Sequence, residues 1–293
     1  MSNKQKAIWL MVVSTLSFSI MQLIVKFSSG VFHTMQLVFC RNLVTLFFGL
    51  FLIVKMGTPL LGKKGNRLAL IARSFFGYVG VVGYFYATTH MNVADASLLH
   101  RSSPFFVIIF SALFLKNGLK RVQVVALLLA FCGSILVINP SFNVTVVPAL
   151  VGVLSAAGAG AAYVVINYLK GKEDNSTIIF CFSLFSCVCS AAMSWKDFVL
   201  PQGAGQWFML LGVGIFAGVG QVALTQAYKM TNPGDVSIIN YLGILFSAVF
   251  GFVFLNESIG LRSILGMILI FTAALLLYFI KNSKAIHFGK KSA

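Results

Sequence analysis

Long apolar segments alternate with short polar ones along almost the whole chain. The apolar segments run for about 18–23 residues, the length that a helix needs to cross a bilayer. They do not alternate with a period of two, as the strands of a membrane barrel would. The pattern predicts ten membrane-spanning helices, at 7–27, 34–54, 67–88, 94–115, 121–138, 146–169, 175–195, 206–228, 235–255 and 261–280. The sixth is the least apolar, because its centre reads SAAGAGAAY.

The composition fits helices that face lipid. Hydrophobic residues make up 59% of the 293 residues and charged residues 10%, whereas a soluble domain carries about 25% charged residues. In lipid every backbone N–H and C=O must be paired within the chain, which favours helices for segments of this length. We therefore expect an all-α polytopic protein of a cell membrane, the bacterial inner membrane in particular.

The basic residues are spread unevenly over the two sides that ten helices would create. The net charge is +16. With a cytoplasmic amino terminus, most Lys and Arg fall in tails and loops on the cytoplasmic side, and only Lys196 and Arg262 fall in outer loops. The positive-inside rule then places both termini in the cytoplasm. The charge indicates membrane topology rather than nucleic-acid binding.

An internal repeat divides the chain into two five-helix halves, 1–141 and 142–293, the second with a short basic tail. A shift of 140 residues places ATTHMNVADASLLHRSSPFF, from Ala87, on AYKMTNPGDVSIINYLGILF, from Ala227. Polar residues match at this offset: Asn92 with Asn232, Asp95 with Asp235, and Ser97 with Ser237. Since each half has an odd number of helices, the second is predicted to enter the membrane inverted. Inverted repeats predict a binding site near the midplane and alternating access.

The order of several loose motifs resembles a known family. These motifs are FCRNLV in the second span, ARSFFGYVGVVGYFYA in the third, ADASLL…SSPFF…LFL in the fourth, and FLNESIGLRSILGMILIFTAALLL across the last two. Over about residues 6–281 the chain resembles the EamA branch of the drug/metabolite transporter superfamily. The resemblance implies a ten-helix carrier with both termini cytoplasmic and a central cavity. Substrates in that family range over amino acids, S-adenosylmethionine, organic acids and other metabolites.

Four basic residues lie inside predicted spans, all in the first half: Lys26, Arg41, Arg73 and Arg101. A charge within the bilayer is costly and indicates a functional site. No acidic residue lies deep in a predicted span. A carboxylate or phosphate on a solute would supply the missing counter-ion, and the planar guanidinium suits either. This pattern predicts an anionic or zwitterionic substrate.

The four basic residues differ in their predicted depth in the membrane. Lys26 and Arg73 lie near helix ends, where the side chain can alternatively reach the interface by snorkelling. Arg41 and Arg101 lie roughly 10 Å deep by helical rise, which favours the cavity. Pro104, just beyond Arg101, removes a backbone N–H and is expected to kink the fourth helix.

Uncharged polar residues extend the predicted site. His100 would hold a proton or serve as a hydrogen-bonded structural residue, and the second reading is favoured. Asn240, Tyr241 and Gln22 would hydrogen-bond the substrate. Further tyrosines would line a cavity or pack in the interior: Tyr84, Tyr86, Tyr163 and Tyr228. The predicted substrate-binding residues are Arg101, Arg41, His100, Asn240, Tyr241, Gln22, Arg73 and Lys26.

Other features point away from catalysis. Asp95 and Asp235 are expected to cap the fourth and ninth helices. The five cysteines fall inside predicted spans without a C-x-x-C pair, so inert thiols are expected, with no metal and no cofactor. The partners would be a small-molecule substrate and membrane lipid.

The sequence thus favours a secondary active or facilitative transporter and no enzyme. A lipid or lipid-head-group flippase is the alternative, because the same basic cavity would serve it. An intramembrane lipid-modifying enzyme is disfavoured, because only His100 of the four histidines lies in a predicted span.

Overall fold

The computed structural model describes residues 2–28, 30–90, 98–116, 119–138, 146–255, 260–279 and 285–286. Its helices are α1 (Asn3–Ser28), α2 (Thr34–Met56), α3 (Arg67–His90), α4 (Ser103–Phe114), α5 (Arg121–Ile138), α6 (Val146–Tyr168), α7 (Asn175–Ser194), α8 (Ala204–Met230), α9 (Pro233–Ser237), α10 (Leu242–Leu255) and α11 (Leu261–Phe279). Short 3₁₀ helices cover Lys64–Asn66, Trp195–Asp197 and Ile238–Tyr241. Leu119–Lys120 (β1) and Ala285–Ile286 (β2) form a two-residue antiparallel pair.

The helical class predicted from the apolar pattern is confirmed. Within the described ranges, eight helical segments are long and apolar enough to cross a membrane, and two shorter apolar helices cover 98–114 and 261–276. Together they are consistent with ten crossings. The helix ends lie within a few residues of the predicted ones, including those of the weakly apolar sixth span, which is α6. The start of the fourth span, with Asn92, Asp95 and Ser97 of the repeat, lies outside the described residues.

The fourth and ninth spans are both interrupted. In the fourth, residues 98–100 are helical, Arg101 and Ser102 form a turn, and α4 begins at Ser103 with Pro104 in its first turn. The ninth consists of α9, the 3₁₀ helix Ile238–Tyr241 and α10. The kink expected at Pro104 is confirmed, whereas no proline marks the ninth span's interruption. The 140-residue shift that aligns the halves places Arg101 on Tyr241, so the two breaks coincide.

The expectation that Asp235 caps the ninth helix is wrong. Asn232 is the cap, and its side chain accepts a hydrogen bond from the Gly234 N–H at 2.9 Å. The buried Asp235 carboxylate instead accepts a bond from Gln123 Nε2 of α5 at 2.9 Å. Asn232 is the capping residue because it immediately precedes Pro233, which starts the helix without needing an N–H partner.

Helices of one half pack chiefly against helices of the other. The contacts of α1 with α8, α3 with α6, α2 with α7, and α5 with α11 are extensive. Smaller contacts join α4 with α6, α1 with α10, α2 with α8, and α3 with α7. Exchanging every span for its counterpart five spans away converts each contact either into itself, as for α2 with α7 and α5 with α11, or into another member of this set.

Small residues explain why the weakly apolar α6 lies in the interior. A Cβ atom on Gly80 of α3 would lie 3.1 Å from the Ala159 nitrogen, and one on Gly158 would lie 3.0 Å from the Phe76 oxygen. The two backbones therefore approach each other directly, as small residues allow in membrane helices. The run SAAGAGAAY, which reads as weak for lipid, is the part of α6 that packs against protein.

One end of the bundle is held by a polar network around Glu173, in the loop between α6 and α7. Its carboxylate is buried and accepts hydrogen bonds from the Lys63 N–H and Asn66 Nδ2, both at 2.8 Å. Its backbone oxygen accepts a bond from Lys229 Nζ at 2.6 Å. This single residue therefore joins the loop between α2 and α3, the loop between α6 and α7, and the end of α8.

We expect Glu173→Ala to lower the thermal unfolding midpoint of the detergent-solubilised protein. Hydrogen bonds to a charged group contribute about 1.5–3 kcal/mol each, and this change removes two. Glu173→Gln keeps an acceptor oxygen and should lose less. Asp197→Ala is the matched control, since Asp197 is exposed in another loop. Equal midpoints for Glu173→Ala and Asp197→Ala would contradict the role given to this network.

Candidate functional site

Arginines from three separate elements converge on one tyrosine. Arg41 lies on α2, Arg73 on α3, and Arg101 in the turn that interrupts the fourth span. The hydroxyl of Tyr163, on α6, is close enough to all three guanidinium groups to interact with them electrostatically. We call Arg41, Arg73, Arg101 and Tyr163 the arginine cluster. The predicted candidates Arg41, Arg73 and Arg101 are thus brought together.

Arg73 is seated in the protein interior. Its side chain is 2% exposed, and its guanidinium carbon lies 4.1 Å from the centre of the Phe182 ring of α7. This position requires a glycine one turn along α3, because a Cβ on Gly77 would overlap Arg73 Nη1. The buried Nε of Arg73 has no hydrogen-bond partner. Arg73 therefore turns inward and does not snorkel.

Arg41 is half-buried beside Arg73. Its guanidinium carbon lies 5.8 Å from the centre of the Phe18 ring of α1. Its Nε is buried and lacks a hydrogen-bond partner. Arg41 and Arg73 are close enough to repel each other electrostatically. Two buried donors of like charge are therefore left to be satisfied.

Arg101 links the two interrupted spans. Its Nη1 donates a hydrogen bond to the backbone oxygen of Asn240 at 3.1 Å, within the 3₁₀ helix of the ninth span. Gly243 allows this approach, because a Cβ there would lie 3.0 Å from Arg101 Nη1. Asn240 Nδ2 in turn donates to the Tyr228 hydroxyl at 3.3 Å. The break in one half thus contacts the break in the other through a charged side chain.

Aromatic hydroxyls surround the guanidinium groups. Tyr163 stacks on Tyr228 of α8, with ring centres 4.7 Å apart. Tyr241 is 1% exposed, its hydroxyl has no hydrogen-bond partner, and it interacts electrostatically with Arg101. The predicted candidates Asn240 and Tyr241 therefore lie beside Arg101, on the side of the second half.

His100 is held by hydrogen bonds and stacking. Its Nδ1 lies 2.8 Å from the Ser155 hydroxyl, which donates to the Gly80 carbonyl at 2.6 Å. Since that hydroxyl proton is used, His100 Nδ1 is the donor of the first bond. The ring also packs on Tyr84, with centres 4.6 Å apart. This setting agrees with a structural histidine.

Gln22 and Lys26 are both exposed on α1. Gln22 is exposed and accepts a hydrogen bond from the Ser247 hydroxyl at 3.4 Å. Ser247 also contacts Ser19, which donates to the Gly243 carbonyl at 3.1 Å. Gln22 thus connects to the second break, while Lys26 is exposed one turn further along α1.

Carboxylates are far from the cluster in the described part of the chain. Glu173, Asp174 and Asp197 lie in loops or a loop helix, and Asp235 is bonded to Gln123. None of them forms an ion pair with the three arginines. Among the described residues, no carboxylate therefore compensates the positive charge of the cluster.

A separate surface pocket lies at one end of the bundle. It has a volume of about 680 Å³ and is lined by residues 30–34 and 196–199, from the loops after α1 and α7. Gln36 holds the lining residue Val199 by bonding both its N–H and its carbonyl, at 3.0 and 2.5 Å. The arginine cluster does not line this pocket.

Two partners of the cluster were not singled out by sequence reasoning. Tyr163 is one of several tyrosines in the predicted spans, and Phe182 is one of many phenylalanines there. The signal for Tyr163 is its position, since it ends a run of small residues that packs on α3. Nothing local distinguishes Phe182 from the other phenylalanines in the spans.

The apolar helices and this basic interior define a multi-pass membrane protein with a polar site between its halves. The model of the EamA-like transporter family matches residues 5–139 and again residues 147–279. The chain therefore belongs to the EamA-like transporter family. The resemblance seen in its motifs is confirmed.

The names of related proteins also indicate transport. Pseudopaline exporter CntI of Pseudomonas aeruginosa is 33% identical over 274 residues, which span 93% of this chain and 96% of the exporter. Human solute carrier family 35 member G1 is 24% identical over 260 residues, spanning 84% of this chain and 71% of the relative. A crystal structure that is 18% identical superimposes with a TM-score of 0.81, covering 92% of this chain and 95% of the other, and shows the fold alone. The protein is a transporter rather than an enzyme.

Gly77→Ala tests how the Arg73 guanidinium is positioned on the Phe182 ring. We expect a lower thermal midpoint, because the new methyl group must displace the guanidinium from the Phe182 ring, an interaction of about 2 kcal/mol when desolvated. Gly205→Ala is the control for the helix propensity gained, since a Cβ on Gly205 meets nothing within 4 Å. In a Phe182→Leu background Gly77→Ala should cost less. Additive effects of the two changes would contradict the proposed contact.

Proposed function

We propose that this transporter moves a small anionic or zwitterionic metabolite, such as an organic acid, an amino acid or a related compound like S-adenosylmethionine, by secondary active or facilitative transport. The arginine cluster carries this proposal. Buried guanidinium groups without a counter-ion are costly. A ligand carboxylate can accept two parallel hydrogen bonds from one of them. Bound ligand would therefore supply the missing negative charge.

Alternating access between two inverted halves is part of the proposal. Three observations support it: the family model matches each half separately, the helix contacts are exchanged when the halves are, and both halves interrupt the same span. Interrupted helices at the interface of inverted repeats are a recurring way to build a substrate site. We place Arg101, Arg41, Arg73, Asn240 and Tyr241 at this site.

The Arg101–Asn240 bond suggests how binding couples to movement. A carboxylate is a stronger acceptor for a guanidinium than a neutral backbone carbonyl. Ligand that engages Arg101 would therefore compete with the Asn240 oxygen and loosen the contact between the two breaks. Such a differential interaction is what a ligand needs in order to shift a conformational equilibrium.

Uptake into proteoliposomes tests the function. Labelled amino acids, organic acids, S-adenosylmethionine and pseudopaline are suitable probes, the last because a relative 33% identical is an exporter of that compound. We expect Arg101→Ala to reduce uptake of the active probe at least about tenfold, since a charged hydrogen bond of about 1.5–3 kcal/mol is lost. Arg262→Ala, which removes an exposed arginine of α11, should leave uptake unchanged.

The same proteoliposomes distinguish the flippase alternative. Movement of labelled phospholipid between leaflets, without flux of any of these solutes, would overturn the proposal. Equal uptake by the Arg101→Ala protein and the Arg262→Ala protein would remove Arg101 from the site.

The orientation follows from the basic residues, and we propose that both termini are cytoplasmic. Cysteine introduced as Lys196→Cys should react with a membrane-impermeant maleimide on intact cells, because Lys196 is exposed in a proposed outer loop. Cysteine introduced as Lys64→Cys, in a proposed inner loop, should react only after permeabilisation. The reverse pattern would invert the assignment.

A further inference from the structure

The three arginines of the cluster lie in two different environments, one that holds Arg41 and Arg73 and another that holds Arg101. Arg41 and Arg73 interact with each other and with Tyr163. The electrostatic partners of Arg101 are tyrosines: Tyr84, Tyr241 and Tyr163. Tyr163 is therefore the group that the Arg41–Arg73 pair and Arg101 have in common.

Different neighbours hold the two positions. Arg73 rests on the Phe182 ring at 4.1 Å, in space left by Gly77. Arg101 is bound to the Asn240 carbonyl, in the second half, in space left by Gly243. Neither guanidinium can move to the other's position without losing these contacts. One compact anion could engage one position fully and the other only by breaking these contacts.

Unsatisfied donors remain at the Arg41–Arg73 position even when Arg101 is bonded. The Nε atoms of Arg41 and Arg73 are buried without hydrogen-bond partners. Their mutual repulsion is relieved by an anion shared between them, since an opposite charge stabilises both. Arg101, which is bonded to the Asn240 carbonyl, can hold a second anion through its planar fork.

We infer that the ligand carries at least two separate acidic groups, one shared by Arg41 and Arg73 and the other held by Arg101. This inference rests on the function proposed above and narrows it from anionic or zwitterionic metabolites to polyacids. A dicarboxylate or tricarboxylate, or an amino acid with several carboxylates, has this chemistry.

A chain-matched series of acids tests the inference on the full-length protein without any substitution. Pentanoate, glutarate and propane-1,2,3-tricarboxylate offer one, two and three carboxylates, and inorganic phosphate offers one compact anion. Dissociation constants come from ligand-induced shifts of the thermal midpoint and from competition with uptake in proteoliposomes. We expect glutarate or the tricarboxylate to bind at least about tenfold more tightly than pentanoate, from one additional charged interaction.

Substitutions then locate the two positions. Arg101→Gln and Arg73→Gln should each reduce the ratio of glutarate affinity to pentanoate affinity towards one, because each leaves a single anion position intact. Arg262→Gln, outside the cluster, should preserve the ratio. Loss of overall affinity with an unchanged ratio in both cluster variants would contradict two-point binding.

The outcomes separate this inference from the function on which it rests. Equal affinity for pentanoate and glutarate, or phosphate binding as tight as that of the tricarboxylate, would overturn two-point recognition and leave an anion transporter. Absence of binding and flux for all carboxylates and phosphate, with flux of neutral or cationic solutes, would overturn the proposed function as well.

Discussion

Guanidinium groups that are buried in a lipid-facing protein, with no carboxylate partner in the described part of the chain, are the constraint around which this structure is arranged. Removing an isolated charge from water is among the most costly steps in folding a membrane protein, and pairing is the usual compensation. Here Arg73 gains a phenylalanine face, Arg101 gains a backbone carbonyl, and Arg41 gains partial contact with Phe18. These are weaker partners than a carboxylate. The protein therefore retains positive charge that an anionic ligand can use.

Holding these side chains in place depends on close approach between backbones. Gly77 and Gly243 leave the space that the guanidinium groups of Arg73 and Arg101 occupy. Gly80 and Gly158 bring α3 and α6 together, and with them Arg73 and Tyr163. The small residues of the spans are thus part of the site, because larger side chains would separate the arginines from the tyrosine that they share.

The sequence predicted what depends on local pattern. Apolar runs located the helices, because crossing a bilayer imposes length and hydropathy on each of them separately. Pro104 located the fourth-span interruption, because a missing N–H acts at its own position. The intramembrane arginines stood out for the same reason, since their cost does not depend on which helix lies opposite.

Features that depend on residues distant in the sequence could not be predicted in the same way. Arg73 lies close enough to its helix end that its side chain could equally reach the interface by snorkelling. Its contact with Phe182, more than one hundred residues away in the sequence, shows that it turns inward instead. The ninth-span interruption has no proline and is stabilised by contacts such as Arg101 with Asn240. Glu173 read as an ordinary loop residue, yet it is buried by the α2–α3 loop. Each case joins the two halves, and it is at that junction that the repeat departs from symmetry: only the first half supplies the arginines, while the second supplies the carbonyl and hydroxyl groups beside Arg101. Under the proposed function, a ligand bound there would contact both halves through different chemistry, because the arginines of one half would hold its acid groups and the polar groups of the other half would lie beside them.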